Sequence, residues 1–531
     1  MPTNSSPKKS IIATLQTQLP FVLPQFLPQQ RWFGGKARQI HSVEIPDIVP
    51  LPAASSYVIL ARVNYASGPV ETYALPLVRV SGEADASSLK IQPDTFFEQV
   101  TLKDALSNDQ FLAHLLEAIA KSVSWPGNKG QIRAASTSAL ASLWQPAQGP
   151  LPPSLMNAEQ SNSSVVYGKR LVLKIFRRME PGLNPDLEIG SFLTEKSSFR
   201  NVPPLAGYLE YLDERGAASS LGMLQGFVAN QGDAWQFSLK ALANYYGQAP
   251  QSGSPRASEI PHAPLVALCG QPLSDEARRR IGPYLDSAAL LGRRTAELHR
   301  ALASAQDDPD FAPQPFSEDE RRAFAESAVQ LLTANFELLR RLQHGIPDQT
   351  RLEGDRVRAL DPIIRRRFQL LTQLKSTAMV TRIHGDYHLG QVLFTGSDFV
   401  IIDFEGEPAR PLAERRRKRS PLQDVAGMLR SFHYAAYAPL LQPGNARGSS
   451  YEELGSWAQY WQKWVSAAFL KSYLRVSGNA IFLPKDREDL ALLLDLYLLD
   501  KAVYELGYEL NNRPSWVRIP LGGIAQLLQG H

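Results

Sequence analysis

The chain has 531 residues, of which 44% are hydrophobic, so it is long enough to bury more than one core, and two or three domains are expected. Its formal charge of +4 is small for this length and gives no reason to expect a nucleic-acid partner. The single cysteine, Cys269, excludes an internal disulfide and fits a reducing cytosol, which predicts a cytoplasmic protein.

The amino-terminal residues do not read as a targeting segment. Residues 11–18 are too polar and too few for the core of a signal peptide. No stretch of the chain approaches the ~20 apolar residues needed to cross a bilayer. We therefore expect neither a secretion signal nor a membrane partner.

Residues 1–125 are predicted to form a separate cap module. Residues 57–63 and 72–78 have the composition of two strands joined by a short turn, and residues 109–122 have the apolar spacing of an amphipathic helix. Before them, residues 29–36 combine charge, aromatic rings and a glycine pair around Trp32. A turn held by a buried tryptophan and a ligand contact are equally consistent with this segment.

Residues 126–230 are predicted to form a mixed lobe that binds a nucleotide. A hairpin turns at Gly168 and places Lys174 on its second strand. Asn184, followed by a proline, is a good helix start, and Glu188 lies in the first turn of that helix. In the protein-kinase arrangement such a lysine contacts the α- and β-phosphates of ATP and is held by a glutamate. Alternatively, Lys174 is an ordinary strand lysine.

The lobe departs from protein kinases in its phosphate loop. The chain lacks a Gly-x-Gly-x-x-Gly sequence in this region, so Ser161, Asn162 and Ser163 would have to bind phosphate through hydroxyl, amide and backbone groups. Two more strands, at 205–212 and 219–227, complete the sheet. Gln225 and Phe227 lie where a hinge is expected, and the backbone there would bind adenine.

Residues 231–531 are predicted to form a mainly helical lobe. A loop at 247–264, rich in Gly, Pro and Ser, precedes it. Six segments then carry helical apolar spacing: 274–303, 317–343, 349–375, 421–437, 451–475 and 485–512. A small mixed lobe followed by a helical lobe is the layout of the protein-kinase-like fold.

The strongest chemical signal lies between residues 384 and 406. Asp386 stands beside His384 and His388, Gln391 follows five residues later, and Asp403 comes after a second short strand. A phosphotransferase needs one carboxylate at the acceptor hydroxyl and hard oxygen ligands for Mg²⁺, which Gln391 and Asp403 supply. A hairpin turning at 395–398 would bring both ligands to one edge. The alternative is that these residues only cap a loop and end a strand.

Two further clusters need an interpretation. The basic run 415–419 is best explained as a surface that is solvated or salt-bridged. That these residues attract the phosphates of a ligand is the less favoured explanation. On the last long helix, Lys501, Tyr504, Glu505 and Tyr508 form a polar and aromatic stripe at helical spacing. This stripe suits a sugar-binding wall, although Lys501 and Glu505 could instead pair on the surface.

The sequence resembles the bacterial maltokinase family along most of its length. The similarity is carried by six segments: 30–36, 159–164, 382–406, 407–412, 420–431 and 499–516. The resemblance implies an α+β, bilobal protein-kinase-like (aminoglycoside phosphotransferase-like) fold with an N-terminal cap module.

The resemblance also implies an activity, which is transfer of the ATP γ-phosphate to the anomeric hydroxyl of maltose, with ATP and Mg²⁺ required. Asp386 would be the catalytic carboxylate, with His384 and His388 beside it, and Glu405 a further metal contact. Arg410 would join the stripe of the last long helix in binding the sugar. The related glucosamine kinases share the fold and are the competing assignment, and trehalose synthase is an expected functional partner. A non-catalytic alternative is a pseudokinase-like scaffold.

Overall fold

The chain divides into two compact units. The computed structural model describes residues 7–81, 88–91, 100–156, 162–248, 255, 259–342, 347–441 and 451–529. The first unit is Met1–Ala229 and the second is Asn230–His531. The further division predicted at residue 125 stays a prediction.

The first unit combines antiparallel sheets with a few helices. Its described helices are α1 (Pro7–Phe26), α2 (Asp109–Lys121), α3 (Leu140–Leu143) and α4 (Pro185–Glu195). Its described strands are β1 (Ile40–Leu51), β2 (Ser56–Tyr65), β3 (Glu71–Val80), β4 (Leu89–Ile91), β5 (Val100–Asp104), β6 (Ser124–Pro126), β7 (Gln131–Ser136), β8 (Pro153–Leu155), β9 (Ser163–Tyr167), β10 (Leu171–Ile175), β11 (Arg178–Met179), β12 (Leu205–Leu212) and β13 (Ala218–Gly226).

The amino-terminal sheet has the strand order β1-β2-β3-β5-β4, and β11 pairs with β3. Helix α1 packs on this sheet and buries Leu15, Leu19 and Leu23, which recur every four residues on one helical face. The predicted strands at 57–63 and 72–78 are confirmed as parts of β2 and β3. Helix α1 is absent from the sequence-based expectations, because Pro20 and Pro24 interrupt its helical pattern.

The second sheet has seven strands in the order β6-β7-β12-β13-β10-β9-β8. The predicted hairpin is confirmed as β9 and β10, and Lys174 stands opposite Ser164 on one side and Met223 on the other. Helix α2 covers part of this sheet with an apolar face that includes Phe111, which is completely buried. The Asn108 side chain caps the helix by accepting a hydrogen bond from the Phe111 backbone N–H at 2.8 Å.

A buried carboxylate joins the two sheets of the first unit. Asp47 on β1 is 0% exposed, and its two oxygens accept hydrogen bonds from its neighbour Ile48 and from three backbone N–H groups of the β6–β7 turn, at 2.7–3.2 Å. The Tyr211 hydroxyl on β12 donates to the same carboxylate at 2.8 Å. Five donors around one buried anion satisfy the turn's backbone and fix the turn to the amino-terminal sheet.

The second unit is mainly helical, as predicted. Its described helices are α5 (Ala234–Gly247), α6 (Leu265–Leu268), α7 (Asp275–Ile281), α8 (Tyr284–Leu302), α9 (Glu318–Leu342), α10 (Asp348–Ala359), α11 (Asp361–Leu370), α12 (Leu412–Arg415), α13 (Leu422–Tyr437), α14 (Tyr451–Ser477), α15 (Arg487–Asn512) and α16 (Arg518–Gln529). Its described strands form two short pairs: β14 (Gln314–Pro315) with β15 (Met379–Val380), and β16 (Val392–Phe394) with β17 (Phe399–Ile401). Among the described residues, no helix has the length and apolarity that crossing a bilayer requires.

Two segments that are predicted as single helices are each divided into two helices at a glycine or a proline. The segment 274–303 is two helices, α7 and α8, because Gly282 adopts φ +69° and a proline follows it. The segment 349–375 is likewise split into α10 and α11, which begins just before Pro362. Half of the predicted loop at 247–264, residues 249–254 and 256–258, lies outside the described residues.

We expect Asp47→Ala to lower the free energy of unfolding of the first unit by about 3 kcal/mol, because it leaves buried donors without an acceptor. Urea unfolding of the full chain measures the change. Glu44→Ala is the matched control, since Glu44 lies on the same strand with its side chain 59% exposed and faces Arg62 at 3.7 Å. The control should change stability by less than about 1 kcal/mol. Equal losses in both variants would contradict a special role for Asp47.

Candidate active site

The loop that carries Asp386 is anchored by a buried aspartate on a neighbouring helix. Asp424 on α13 is 2% exposed and accepts hydrogen bonds from the backbone N–H groups of His384, at 2.7 Å, and Gly385, at 2.9 Å. The His299 ring on α8 contacts the same carboxylate at 3.1 Å. Burial alone would raise the pKa of Asp424, but the hydrogen bond and charge of His299 outweigh it and lower the pKa. Asp424 is therefore an anion at neutral pH and holds the loop through its backbone.

The same face of α13 makes two further contacts with this loop. Ser431 accepts a hydrogen bond from the Leu389 backbone N–H at 3.1 Å. Gly427 lies so close that a Cβ there would be 2.6 Å from the Tyr387 carbonyl oxygen. Asp424, Gly427 and Ser431 are spaced by three and four residues, which puts them on one side of the helix. One helical face thus fixes the loop at three points.

His384 is part of this scaffold. It is 1% exposed, and its Nε2–H donates to the Ile402 carbonyl oxygen at 2.9 Å. Its ring packs between those of Tyr387 and Phe404, with centroids 5.2 and 4.9 Å away. A catalytic role for His384 stays a prediction, and the enclosure of its ring by backbone and aromatic groups fits a side chain that positions the loop.

Asp386 projects from the anchored loop into a pocket. Its Oδ1 lies 3.7 Å from Lys501 Nζ, and its Oδ2 lies 3.9 Å from His388 Nε2. His388 Nδ1 accepts a hydrogen bond from the Gly390 N–H at 3.1 Å, which leaves the proton of the neutral ring on Nε2, the nitrogen that faces Asp386. Burial lowers the pKa of His388, so the ring is neutral at pH 7. The Asp386 carboxylate therefore lies between the Lys501 amino group and the neutral ring of His388.

The predicted metal ligands meet at one edge of a hairpin. Strands β16 and β17 pair, and the turn closes through a hydrogen bond from the Thr395 N–H to the Asp398 carbonyl, so the predicted hairpin is confirmed. Gln391 Nε2 donates to Asp403 Oδ2 at 2.8 Å. Oxygens of Asp403 and Glu405 lie within 4.8 Å of each other. Carboxylate oxygens at this spacing fit a hard cation such as Mg²⁺.

The backbone at Asp403 is unusual. Asp403 adopts φ +66°, a left-handed conformation that aspartate tolerates better than most residues. Such a conformation costs about 1–3 kcal/mol and is found where a side chain must be aimed. At Asp403 it turns the carboxylate away from the path of β17 and toward Gln391.

The pocket beside Asp386 has a volume of about 650 Å³, within the usual range of about 300–1,000 Å³ for small-molecule sites. Its aromatic lining consists of Trp235, Tyr434, Tyr504, Tyr508 and Trp516. Its charged lining consists of Asp233, Asp386, Glu407, Lys501, Glu505, Glu509 and Arg513. Five predicted substrate residues, Asp386, Lys501, Tyr504, Glu505 and Tyr508, therefore lie around one cavity.

Most acidic groups of this pocket carry their own counterion. Arg430 donates to Glu505 at 2.6 Å, Arg513 donates to Glu509 at 2.6 Å, and the predicted substrate residue Arg410 donates to Glu407 at 2.8 Å. Asp386 has Lys501, which also lies 4.8 Å from the centre of the Tyr504 ring. Asp233 caps α5 by accepting from the Gln236 N–H at 2.7 Å, where the helix dipole is positive. The alternative in which Lys501 and Glu505 pair on the surface is not what the structure has, because Glu505 binds Arg430 in the interior and Lys501 faces Asp386.

The predicted phosphate-binding residues lie in the first unit. Lys174 is buried, and its Nζ donates to Asp186 Oδ2 at 3.0 Å. Glu188 is the predicted partner of Lys174, whereas the ion pair at this distance is with Asp186, two residues earlier on α4. Glu188 is itself buried, and its role stays a prediction.

Most of the other residues predicted to bind the nucleotide belong to the described part of the first unit. Ser161 lies outside the described residues, whereas Asn162 directly precedes β9 and Ser163 begins it. Gln225 is on β13, opposite Val172, and the Phe227 N–H donates to the Arg170 carbonyl at 2.8 Å. Their contacts with a nucleotide stay predictions.

The basic run at 415–419 is salt-bridged. Glu414 binds both Arg417, at 3.3 Å, and Arg419, at 3.1 Å, while Arg416 faces Asp310 at 3.6 Å. Arg415 donates to the Glu405 carbonyl at 3.1 Å. The preferred explanation of this run, a salt-bridged surface, is confirmed by these ion pairs.

Several residues that shape the site have no role predicted from the sequence. Asp424 and Ser431 lie within the 420–431 segment that carries the family resemblance, and their spacing with Gly427 is the available signal. Asp186 could not be chosen over Glu188 without knowing how α4 lies against β10. Arg430 and Trp516 contribute through contacts between distant helices, which a linear pattern does not reveal.

Comparison with known proteins supports the cap and the kinase fold. Residues 26–91 match the family model of the maltokinase N-terminal cap domain, and residues 245–460 match that of the phosphotransferase enzyme family. A solved structure of a glucosamine kinase in complex with glucosamine, ADP and inorganic phosphate superimposes with a TM-score of 0.62 at 18% identity, covering 95% of this chain and 99% of that one. A second crystal form of a glucosamine kinase gives a TM-score of 0.61 at 18% identity, covering 92% of both chains. The predicted kinase-like fold with an N-terminal cap is thereby confirmed.

Curated relatives are more distant in sequence. A glucosamine kinase of Streptacidiphilus jiangxiensis is 25% identical over 246 residues, and one of Mycolicibacterium smegmatis is 24% identical over 310 residues. The alignments cover 45% and 58% of this chain, and they span 49% and 65% of the length of those relatives.

We expect a pH-dependent stability term from Asp500, which neighbours Lys501 on α15. Burial raises the pKa of Asp500 to about 6, with Arg410 and Lys501 partly offsetting it. The unfolded chain has a value of about 3.9, so the folded state binds this proton more tightly, and the resulting stability is lost as pH rises from about 4 through 6. Asp500→Asn should therefore be more stable relative to the native protein at pH 7.5 than at pH 4.

Urea midpoints of both proteins across this pH range measure the difference. Glu488→Gln, an exposed change on the same helix, is the control and should show no trend of this kind. A constant difference between Asp500→Asn and the native protein at every pH would contradict the raised pKa.

Proposed function

We propose that this chain is an ATP-dependent sugar kinase that phosphorylates maltose at its anomeric hydroxyl and releases maltose 1-phosphate, a donor precursor for α-glucan synthesis from trehalose. The observation that carries the proposal is an aromatic, charge-compensated pocket with Asp386 in its wall. The match of residues 26–91 to the cap domain of maltokinases supports the choice of sugar.

The chemistry follows from what surrounds Asp386. Its carboxylate accepts the proton of the anomeric hydroxyl as that oxygen attacks the γ-phosphorus of ATP. The bond from the γ-phosphorus to the bridging oxygen breaks, and ADP leaves with the electron pair. Lys501, 3.7 Å from the carboxylate, keeps Asp386 oriented, and the neutral His388 adds no competing charge.

The remaining roles concern the phosphates. Lys174, held by Asp186, would bind the α- and β-phosphates, with Ser163 as a further contact. Gln391, Asp403 and Glu405 have the oxygen donors that would hold Mg²⁺, which supplies charge neutralisation for the transferred phosphoryl group when bound. The Asp403 conformation and the Gln391 hydrogen bond set the direction of those donors before any ligand arrives.

The charge balance of the pocket favours a neutral sugar. Four of its carboxylates face a basic side chain, and Asp233 is used as a helix cap. An amino sugar carries an ammonium group, which is best stabilised by a carboxylate that has no other cation. The aromatic rings offer flat faces on which pyranose rings can pack. A sugar hydroxyl can also donate a hydrogen bond to a carboxylate oxygen that already faces a basic side chain.

Glucosamine is the second candidate, because both curated relatives and the superimposed structures are named glucosamine kinases. A panel of maltose, glucose, glucosamine and an aminoglycoside, each with ATP and Mg²⁺, separates the two while ADP release is followed. Maltose should give the strongest response. A strong response to glucosamine and none to maltose would reject the substrate proposed here.

The position of phosphorylation has its own signature. Transfer to the anomeric oxygen removes the reducing end of the sugar, so reducing-sugar content should fall in step with ADP release. Transfer to any other hydroxyl would leave the reducing end intact and would contradict the proposed product.

We further propose that the protein acts in the cytoplasm together with trehalose synthase, which would supply maltose. The alternative without catalysis is a pseudokinase-like scaffold for that enzyme. Binding of nucleotide without turnover of any sugar would favour the scaffold.

We expect Asp386→Asn to lower kcat with maltose by about 10² or more, because the amide cannot accept the hydroxyl proton. The melting temperature should stay unchanged, since the loop is held by its backbone and not by this side chain. Asp319→Asn, at a side chain that is 96% exposed, is the control and should retain native kcat. Near-native turnover in Asp386→Asn would remove the role assigned to that carboxylate.

A further inference from the structure

Arg177 is a buried arginine that occupies a position between the two sheets of the first unit. It is 2% exposed and follows β10, the strand of Lys174, by two residues. Its Nε donates to the Ser163 hydroxyl at 2.9 Å. Ser163 begins β9 and pairs with Ile175 next to Lys174, so one guanidinium edge is bound to the strand pair that carries the predicted phosphate contacts.

The other contacts of Arg177 reach the amino-terminal sheet. Its terminal nitrogen donates to Asp104 Oδ2 at 2.6 Å, at the end of β5. Its guanidinium lies 4.8 Å from the centre of the Trp32 ring, a distance at which a cation is attracted to the aromatic face. Its backbone carbonyl accepts a hydrogen bond from the Ala74 N–H on β3 at 2.8 Å. Trp32 therefore packs in the interior against an arginine, which accounts for the conspicuous 29–36 segment without a ligand.

The shape of the arginine side chain matters to this arrangement. A guanidinium group is planar and rigid. It can therefore donate a hydrogen bond to Ser163, donate another to Asp104 and stack its face on Trp32 at the same time. A lysine in its place would retain the charge toward Asp104 but would lose the fixed geometry that reaches Ser163.

We propose that Arg177 is a positioning residue through which the amino-terminal sheet sets the Ser163 hydroxyl relative to Lys174 for binding of the nucleotide phosphates. This role rests on the proposed kinase function and extends it to the cap. Loss of the Arg177–Ser163 hydrogen bond would weaken nucleotide binding and leave the sugar pocket and the proton acceptor unaffected.

The experiment compares Arg177→Lys, Ser163→Ala and the double variant in the full chain. For each we measure KM for ATP, kcat with the best sugar, KM for that sugar, the Kd of ADP with Mg²⁺ by calorimetry and the melting temperature. Arg177→Lys and Ser163→Ala should each raise KM for ATP and the Kd of ADP by about 3- to 10-fold, the equivalent of one hydrogen bond. kcat and the sugar KM should stay within about 2-fold. The double variant should be no worse than Ser163→Ala, since Arg177 acts through the hydroxyl group that Ser163→Ala already lacks.

Arg178→Lys is the matched control. Arg178 is the next residue and also bridges to the amino-terminal sheet, facing Glu71 at 3.5 Å, but it binds Glu180 at 2.8 Å in place of Ser163. It should leave KM for ATP and the Kd of ADP unchanged. An equal rise in Arg178→Lys would mean that any disturbance of this interface has the same effect, and the proposal would be overturned.

Other outcomes also decide the question. Native nucleotide affinity in Arg177→Lys, additive losses in the double variant, or a fall in kcat that follows a fall in melting temperature would each overturn the proposal. If the native protein phosphorylates no sugar, the proposed function fails, whereas the ADP affinities of the four variants still test Arg177 independently.

Discussion

The carboxylate of Asp424 is the interaction on which the candidate site depends. The loop that carries Asp386 has little regular structure of its own, and its conformation is set by hydrogen bonds from two consecutive backbone N–H groups to a single buried anion. The surrounding helices keep that carboxylate out of water, and the contact with His299 lowers its pKa against the effect of burial. Because the anchor acts on backbone, the side chains of the loop remain available for chemistry.

In each of the two units, a buried carboxylate binds the backbone N–H groups of an irregular segment. Asp47 in the first unit gathers backbone donors of a turn, as Asp424 gathers those of a loop in the second. Irregular segments expose polar groups that helices and sheets would have satisfied, and a buried carboxylate satisfies several at once. Both carboxylates lie far along the chain from most of the groups they bind, so each also fixes the packing of separate elements.

Local patterns were enough to predict most elements of the fold and the core of the candidate site. The hairpin at 392–401, the strand of Lys174 and the long helices have periodicities that tertiary contacts did not override. The sequence did not reveal α1, whose two prolines mask its apolar face, or Asp186, which could be chosen only once α4 was seen against β10. His384 lies close to Asp386 in sequence, and its ring is enclosed by Tyr387 and Phe404. Adjacency in sequence did not predict which side chain faces the pocket.

The pairing of acidic and basic groups around the pocket has a kinetic consequence. Closely spaced opposite charges cancel each other at distances beyond about 10 Å, so the field that reaches the surrounding solvent is weak. A charged ligand would gain little from steering by so weak a field, and an uncharged one, such as the maltose proposed above, would arrive by plain diffusion. Added salt, which slows encounters guided by charge, would leave this one unaffected, and the cell's ionic strength would have little influence on how quickly the pocket fills.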